Sequence, residues 1–179
     1  TYIMNWLSSI FNNIGIYGPV FLFLTSATLL WNKEMLLFYY VVGMFLSCIL
    51  NVALKLLFQQ PRPSEDLQQF NLALTRGKYF VFKDGFPHGI FGMPSGHAQS
   101  CAFSTIFIYL SLKNKKWFYL YLVISAIVLS QRVAFNRHTI FQVIAGAFVG
   151  TFVGYGFLVL AKQKIKGVIK EKPDDYGPK

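Results

Sequence analysis

Three short stretches carry residue types that could do chemistry together. Lys55 and Arg62, the latter held between Pro61 and Pro63, follow an apolar run. Pro94, Ser95, Gly96 and His97 open another. Arg132 and His138 lie between two more. The chemistry that uses such a set is phosphoryl transfer. A transferring phosphoryl group spreads negative charge over its equatorial oxygens, so catalysis is mostly positioning and charge stabilisation. Lys55, Arg62 and Arg132 supply cations, and the arginines can bind bidentately. The Ser95 hydroxyl and the backbone N–H groups of a helix opening at Gly96 add fixed donors, because helix N-termini favour anions. Two histidines can divide the remaining work: one attacks phosphorus, the other protonates the leaving oxygen and later activates water.

Taken singly, each residue has a plainer reading. Lys55 is a snorkelling lysine at a helix end. Arg62 is a solvated loop cation, Ser95 an N-cap, Arg132 a headgroup contact, and each histidine an interfacial side chain with a satisfied ring. All of these holding at once leaves both histidines beside cations without a reason. Glu65, Asp66 and Asp84 read as solvated loop charges and form no pair for a two-metal site, so the expectation is a metal-independent reaction without a cofactor. Cys48 and Cys101 lie in apolar runs without partners at ligand spacing, and read as reduced.

The elements that must position these residues are membrane helices. The chain of 179 residues is 54% hydrophobic and only 13% charged, about half the charge of an ordinary soluble domain. Crossing a bilayer takes roughly 20 apolar residues. Five spans are expected: Gly15 to Trp31, Met35 to Phe58, Gly96 to Leu112, Trp117 to about Ser130, and Thr139 to Ala161. Ahead of them Ile3, Leu7, Ile10 and Ile14 recur at helical spacing among asparagines and serines, as in a helix lying in the interface. The chain thus reads as an all-α polytopic bundle, with one membrane-embedded domain over 1–161, a long loop at 59–94 and a basic tail at 162–179.

The net charge of +10 does not point to nucleic acid, since the basic residues flank apolar segments. Five spans place Lys33, the 113–116 lysines and the tail lysines on one face. The long loop and the link between the last two spans lie on the other, which keeps few basic residues once Lys55, Arg62 and Arg132 are assigned to chemistry. The lysine-rich face, with the C-terminus, is then cytoplasmic. The long loop and all three islands face the periplasm, a lumen or the exterior.

The three islands resemble the motifs of the type 2 phosphatidic acid phosphatase superfamily. These are Lys, six residues and Arg-Pro; Pro-Ser-Gly-His; and Ser-Arg, five residues, His, three residues and Asp. Here they stand as Lys55 to Arg62-Pro63, Pro94 to His97, and Gln131-Arg132, His138 and Gln142. The resemblance implies that His138 is the nucleophile and forms a phosphohistidine. It makes His97 the general acid and then the base for water, with Lys55, Arg62, Ser95, Gly96 and Arg132 holding the phosphate. It also implies six spans, one more than the five counted.

Two positions depart from the pattern. Gln131 replaces a serine. Gln142 replaces the aspartate one turn beyond the nucleophile, which matters more: its carbonyl can accept the Nδ1–H of His138 and leave Nε2 free, but it brings no charge. The glucose 6-phosphatase and dolichyl diphosphatase branches resemble this chain in carrying Gln there. On this reading Gln142→Asp keeps or raises the rate.

The expected substrate is a lipid phosphate, because a site opening at the bilayer surface meets phosphates at headgroup level. A prenyl diphosphate leads, followed by phosphatidic acid, phosphatidylglycerol phosphate and a lipid A phosphate. Membrane lipids are the expected surroundings, with no nucleic-acid partner and protein partners undetermined. A catalytically weak lipid-phosphate binder or transport component, and a vanadate-dependent peroxidase, are the alternatives. Gly146, Gly150 and Gly154 form a close-packing stripe, read as packing within the chain. His88 is a candidate substrate contact, and Phe86, Ile90 and Phe91 form either a lipid lip or an interfacial anchor.

Overall fold

The computed structural model describes the backbone of residues 2–83 and 86–167, and side chains of 6–80 and 89–167. Its elements are α1 (Tyr2–Leu29), α2 (Glu34–Phe58), α3 (Leu67–Thr75), β1 (Phe80–Lys83), β2 (Phe86–Gly89), α4 (Gly96–Leu112), α5 (Lys115–Ala134) and α6 (Ile140–Ile165). The architecture is an all-α bundle of five long helices. Residues 6–29 of α1, α2, α5 and α6 are long and apolar enough to cross a membrane. Their outward faces agree: Phe141, Ile144, Phe148, Phe152 and Tyr155 form an exposed stripe along α6, an arrangement that only an apolar solvent tolerates.

α4, with 17 residues, falls short of that length, and the packing shows why it can. It is the one helix in contact with all four others, which surround it in the order α1, α2, α6, α5. A helix sheathed in protein faces little lipid, so it can carry Gln99, Ser100, Ser104 and Thr105 between its apolar residues. The core around it contains Leu22, Tyr40, Phe103, Phe107, Tyr121 and Leu158. Several buried hydroxyls of this core are paired: Tyr40 Oη lies 2.8 Å from Ser104 Oγ, and Ser26 Oγ donates to the Leu22 carbonyl at 2.7 Å while lying 2.9 Å from Tyr121 Oη.

The glycine stripe of α6 packs within the chain. A Cβ on Gly146 would collide with the Ser95 carbonyl and one on Gly150 with the Gln99 carbonyl; one on Gly154 would sit 2.9 Å from the Phe103 carbonyl. The stripe lets α6 lie directly on the α4 backbone and fixes the height of Ser95 and His97.

One boundary differs from the sequence reading: the expected separate interfacial helix over residues 1–13 is continuous with the first span from Tyr2 onward. The fourth span runs a turn past Ser130 to Ala134, which carries Arg132 on its last turn. The long loop is also ordered where described. Asp66 is not merely solvated: it caps α3, accepting from the backbone N–H groups of Gln68 and Gln69 at 2.8 and 3.0 Å. β1 and β2 pair as an antiparallel hairpin with Phe80 opposite Gly89. Ile90 and Phe91 are buried with Phe70 and so form the loop's own small core, which corrects their reading as a lipid lip. The side chains of Phe86 and His88, Asp84, and the tail beyond residue 167 lie outside the described residues.

Candidate active site

One end of the bundle holds a cavity of about 330 Å³ lined by Asn12, Ile16, Lys55, Arg62, Gly96, His97, Gln131, Arg132, Arg137 and His138. Six of the eight residues singled out from sequence meet here or form its wall: Lys55, Arg62, Gly96, His97, Arg132 and His138. Ser95 stands one residue behind the lining, fully buried. It occupies the N-cap position of α4, yet its hydroxyl caps nothing and has no partner among the described residues. Gln142 is also buried, behind His138.

Local structure explains how His138 arrives there. α5 ends when the Arg132 carbonyl accepts from the backbone N–H groups of both Arg137 and His138, at 2.9 and 3.1 Å. Asn136 takes the left-handed conformation (φ 51°), which asparagine tolerates better than most residues. Thr139 then starts α6 with a capping box: its Oγ1 accepts from the Gln142 backbone N–H at 3.1 Å, and Gln142 Oε1 accepts from the Thr139 N–H at 3.2 Å. His138 therefore sits at the N-terminus of α6, as His97 does at that of α4. Two helix N-termini thus face one cavity, an arrangement that favours anions.

The ring of His138 is held differently from the sequence expectation. Its Nδ1 lies 2.9 Å from the Gly92 carbonyl oxygen. A carbonyl only accepts, so Nδ1 carries the proton and Nε2 keeps its lone pair. The tautomer that Gln142 was expected to fix is thus set chiefly by a backbone group, with Gln142 adding a second polar contact to the ring. The main work of Gln142 is elsewhere: its Nε2 donates to the Pro61 carbonyl at 2.9 Å. Pro61 bridges Phe91, and the Gly92 N–H donates to the Gln60 carbonyl at 2.7 Å. The two ends of the long loop are therefore stapled together, and α6 grips both, one through His138 and one through Gln142.

Burial, reinforced by the charges of Arg62 and Lys55, pushes His138 down to about 3, so its ring is neutral at physiological pH. Burial also lowers Arg62; Glu65 opposes this and Arg137 adds to it. An arginine remains a cation throughout.

α1 supplies parts that sequence reasoning missed. Pro19 has no N–H, so the Gly15 carbonyl one turn earlier lacks its helical donor. That carbonyl accepts instead from Arg132 Nη2 at 3.0 Å. Gln131 Nε2 donates to Asn12 Oδ1 at 2.8 Å. His97 lies against the Ile16 backbone. Arg137 adds a fourth cation at the mouth, where its side chain is exposed. The Nε groups of Arg62 and Arg132 are buried without partners among the described residues, so both guanidiniums keep a donor in reserve. Among the described residues, no group of three or more His, Cys, Asp or Glu is placed to hold a metal ion.

A cavity with four cations, two histidines and two helix N-termini favours an anion. A model of the PAP2 superfamily matches residues 36–166. No curated protein and no solved structure matches the chain. The match covers well over half of the sequence and every lining residue except those of α1, and the chain belongs to the PAP2 superfamily.

Proposed function

We propose that this protein is a membrane phosphatase that removes phosphate from a lipid phosphate or prenyl diphosphate, through a phosphohistidine and without a metal. The observation that carries the reading is the ring of His138: Nδ1–H donated to Gly92, Nε2 unprotonated, and cations on the same cavity wall. Family membership supports the phosphatase class.

Nε2 of His138 attacks phosphorus, and the bond to the leaving oxygen breaks as His97 donates its proton to that oxygen, a proton that the buried ring beside Arg132 carries only when the negative charge of the bound phosphate offsets the cations. His97, now neutral, takes a proton from water. The resulting hydroxide attacks the phosphohistidine, the P–N bond breaks, and its electron pair returns to Nε2. Lys55, Arg62 and Arg132 stabilise the equatorial oxygens, with the Gly96 backbone and Ser95 at the α4 N-terminus.

The lipid character follows from the position of the cavity at one end of helices long enough to span a bilayer. A diphosphate leads because, among the described residues, four cations line the cavity and no carboxylate does. Three suffice for a transferring phosphoryl group, which leaves Arg137 for a second phosphate. The charge distribution of the loops supports an extracytoplasmic site with the C-terminus in the cytoplasm.

The test is phosphate release by the detergent-solubilised protein in EDTA. The panel is a prenyl diphosphate, phosphatidic acid, phosphatidylglycerol phosphate and glucose 6-phosphate. Release from the lipids that disappears in His138→Ala is the expected result. Phosphate binding without release from any of them would instead mark a binding protein.

A further inference from the structure

We propose that Pro19 is a positioning residue of the site: it opens the hydrogen-bond ladder of α1, and the backbone carbonyls of the opened turn, those of Gly15 and Ile16, hold Arg132 and orient the general acid His97. The inference rests on the phosphatase reading and deepens it, because it gives α1 a part in the proton step.

α1 packs chiefly on α5. Gly15 and Gly18 bring the two helices close, since a Cβ on the first would collide with the Gln131 side chain and one on the second with Val128 Cγ2. Asn12 Oδ1 accepts from Gln131 Nε2 at 2.8 Å and fixes the register of α1 on α5. In a regular helix the Gly15 carbonyl would accept from the N–H of residue 19. Residue 19 is a proline inside the helix, with no N–H and a ring that crowds that carbonyl. The carbonyl accepts from Arg132 Nη2 instead, at 3.0 Å.

Ile16 is the next residue of the same turn, and it lines the cavity beside His97. Its backbone hydrogen-bonds the His97 ring in the sense that favours the charged form, against burial and the charges of Arg132, Lys55 and Arg62. A backbone N–H would favour the neutral ring, so the partner is the carbonyl and the ring donates to it. The two histidines are thus held alike, His138 by the Gly92 carbonyl and His97 by the Ile16 carbonyl. Each keeps its second nitrogen for the substrate. On His97 that nitrogen carries the proton to the leaving oxygen, and a ring fixed by α1 presents it in one direction.

The experiment compares the full chain and Pro19→Ala in mixed micelles, on two esters with the same tail, dodecyl phosphate and 4-dodecyl-2-nitrophenyl phosphate. The alkoxide needs a proton to leave and the nitrophenolate does not. Alanine in place of a helical proline restores the ladder, so Tm should hold or rise. The expected result is a kcat on dodecyl phosphate lowered about tenfold more than that on the nitrophenyl ester. Equal loss on both esters, no loss on either, or a loss that accompanies a falling Tm overturns the proposal. Imidazole ¹⁵N spectra give a readout without turnover, with His97 assigned by its disappearance in His97→Gln. The wild-type ring should show one neutral tautomer, and Pro19→Ala a mixture of two. A mixture in the wild-type protein, or the same single tautomer in Pro19→Ala, refutes the positioning. Wild-type protein that hydrolyses neither ester contradicts the phosphatase reading, while the ¹⁵N spectra still decide the role of Pro19.

Discussion

His138 has one nitrogen tied to protein and the other open to the cavity, and the predictions at residue scale follow from that division. His138→Ala should abolish turnover, and His97→Ala should cost roughly 10²–10⁴-fold, the usual worth of general acid–base help; phosphate release measures both. Because burial and two cations hold His138 down to about 3, its imidazole ¹⁵N shifts should stay those of the Nδ1–H tautomer from pH 8 to pH 5. The sign for stability follows. Unfolded imidazole takes up a proton near 6.5, while the folded ring refuses it until about 3. The unfolded state therefore binds more protons in that window, and this residue makes the fold less stable as pH falls through it. Gln142→Asp now has a different expected outcome from the sequence reading. Asp cannot donate to Pro61, so the staple opens at a cost of about 1–3 kcal/mol, read as a lower Tm with no gain in rate. The side chains of the site were legible because Lys, Arg and His at fixed spacing ahead of apolar runs are hard to explain otherwise. The Gly92 and Gly15 carbonyls were not, since a backbone acceptor leaves no mark in the sequence until the fold brings it to a ring or a guanidinium.

At the scale of elements, helix contacts set the geometry. Gly150→Ala puts a methyl where the Gln99 carbonyl lies, so α6 must lift from α4. Overpacking of this kind costs roughly 1–3 kcal/mol. The expected outcome is a lower Tm in detergent together with reduced kcat/KM, because Ser95 and His97 ride on the same α4 turn. Helix existence and the glycine stripe were readable from apolar runs and four-residue spacing. The central place of α4 was not, because its sequence records only a short, partly polar helix. Nor was the role of α1. Asn12 looked like the polar face of an interfacial helix, and only the packing of α1 against α5 brings it to Gln131. The loop's hairpin and its small core were hidden because proline and glycine punctuate a loop without saying how its ends are tied.

For the whole molecule, the bundle gathers chemistry at one end and lysines at the other. Lys33, Lys113 and Lys162 lie at the ends of α2, α4 and α6 away from the cavity. A single cysteine at Lys78, in a Cys48→Ala, Cys101→Ala background, should react with a membrane-impermeant maleimide in intact cells. One at Lys115 should react only after permeabilisation; the reverse pattern would turn the molecule over in its membrane. The central claim, covalent transfer to His138, is tested most directly by trapping. Protein mixed with substrate labelled with ³²P in the transferred phosphoryl group is quenched in alkali, digested and mapped. The account expects an alkali-stable, acid-labile label on the peptide carrying His138, absent from His138→Ala and accumulating in His97→Ala, where water is no longer activated. Phosphate release with no labelled protein, or with label on another residue, would contradict it.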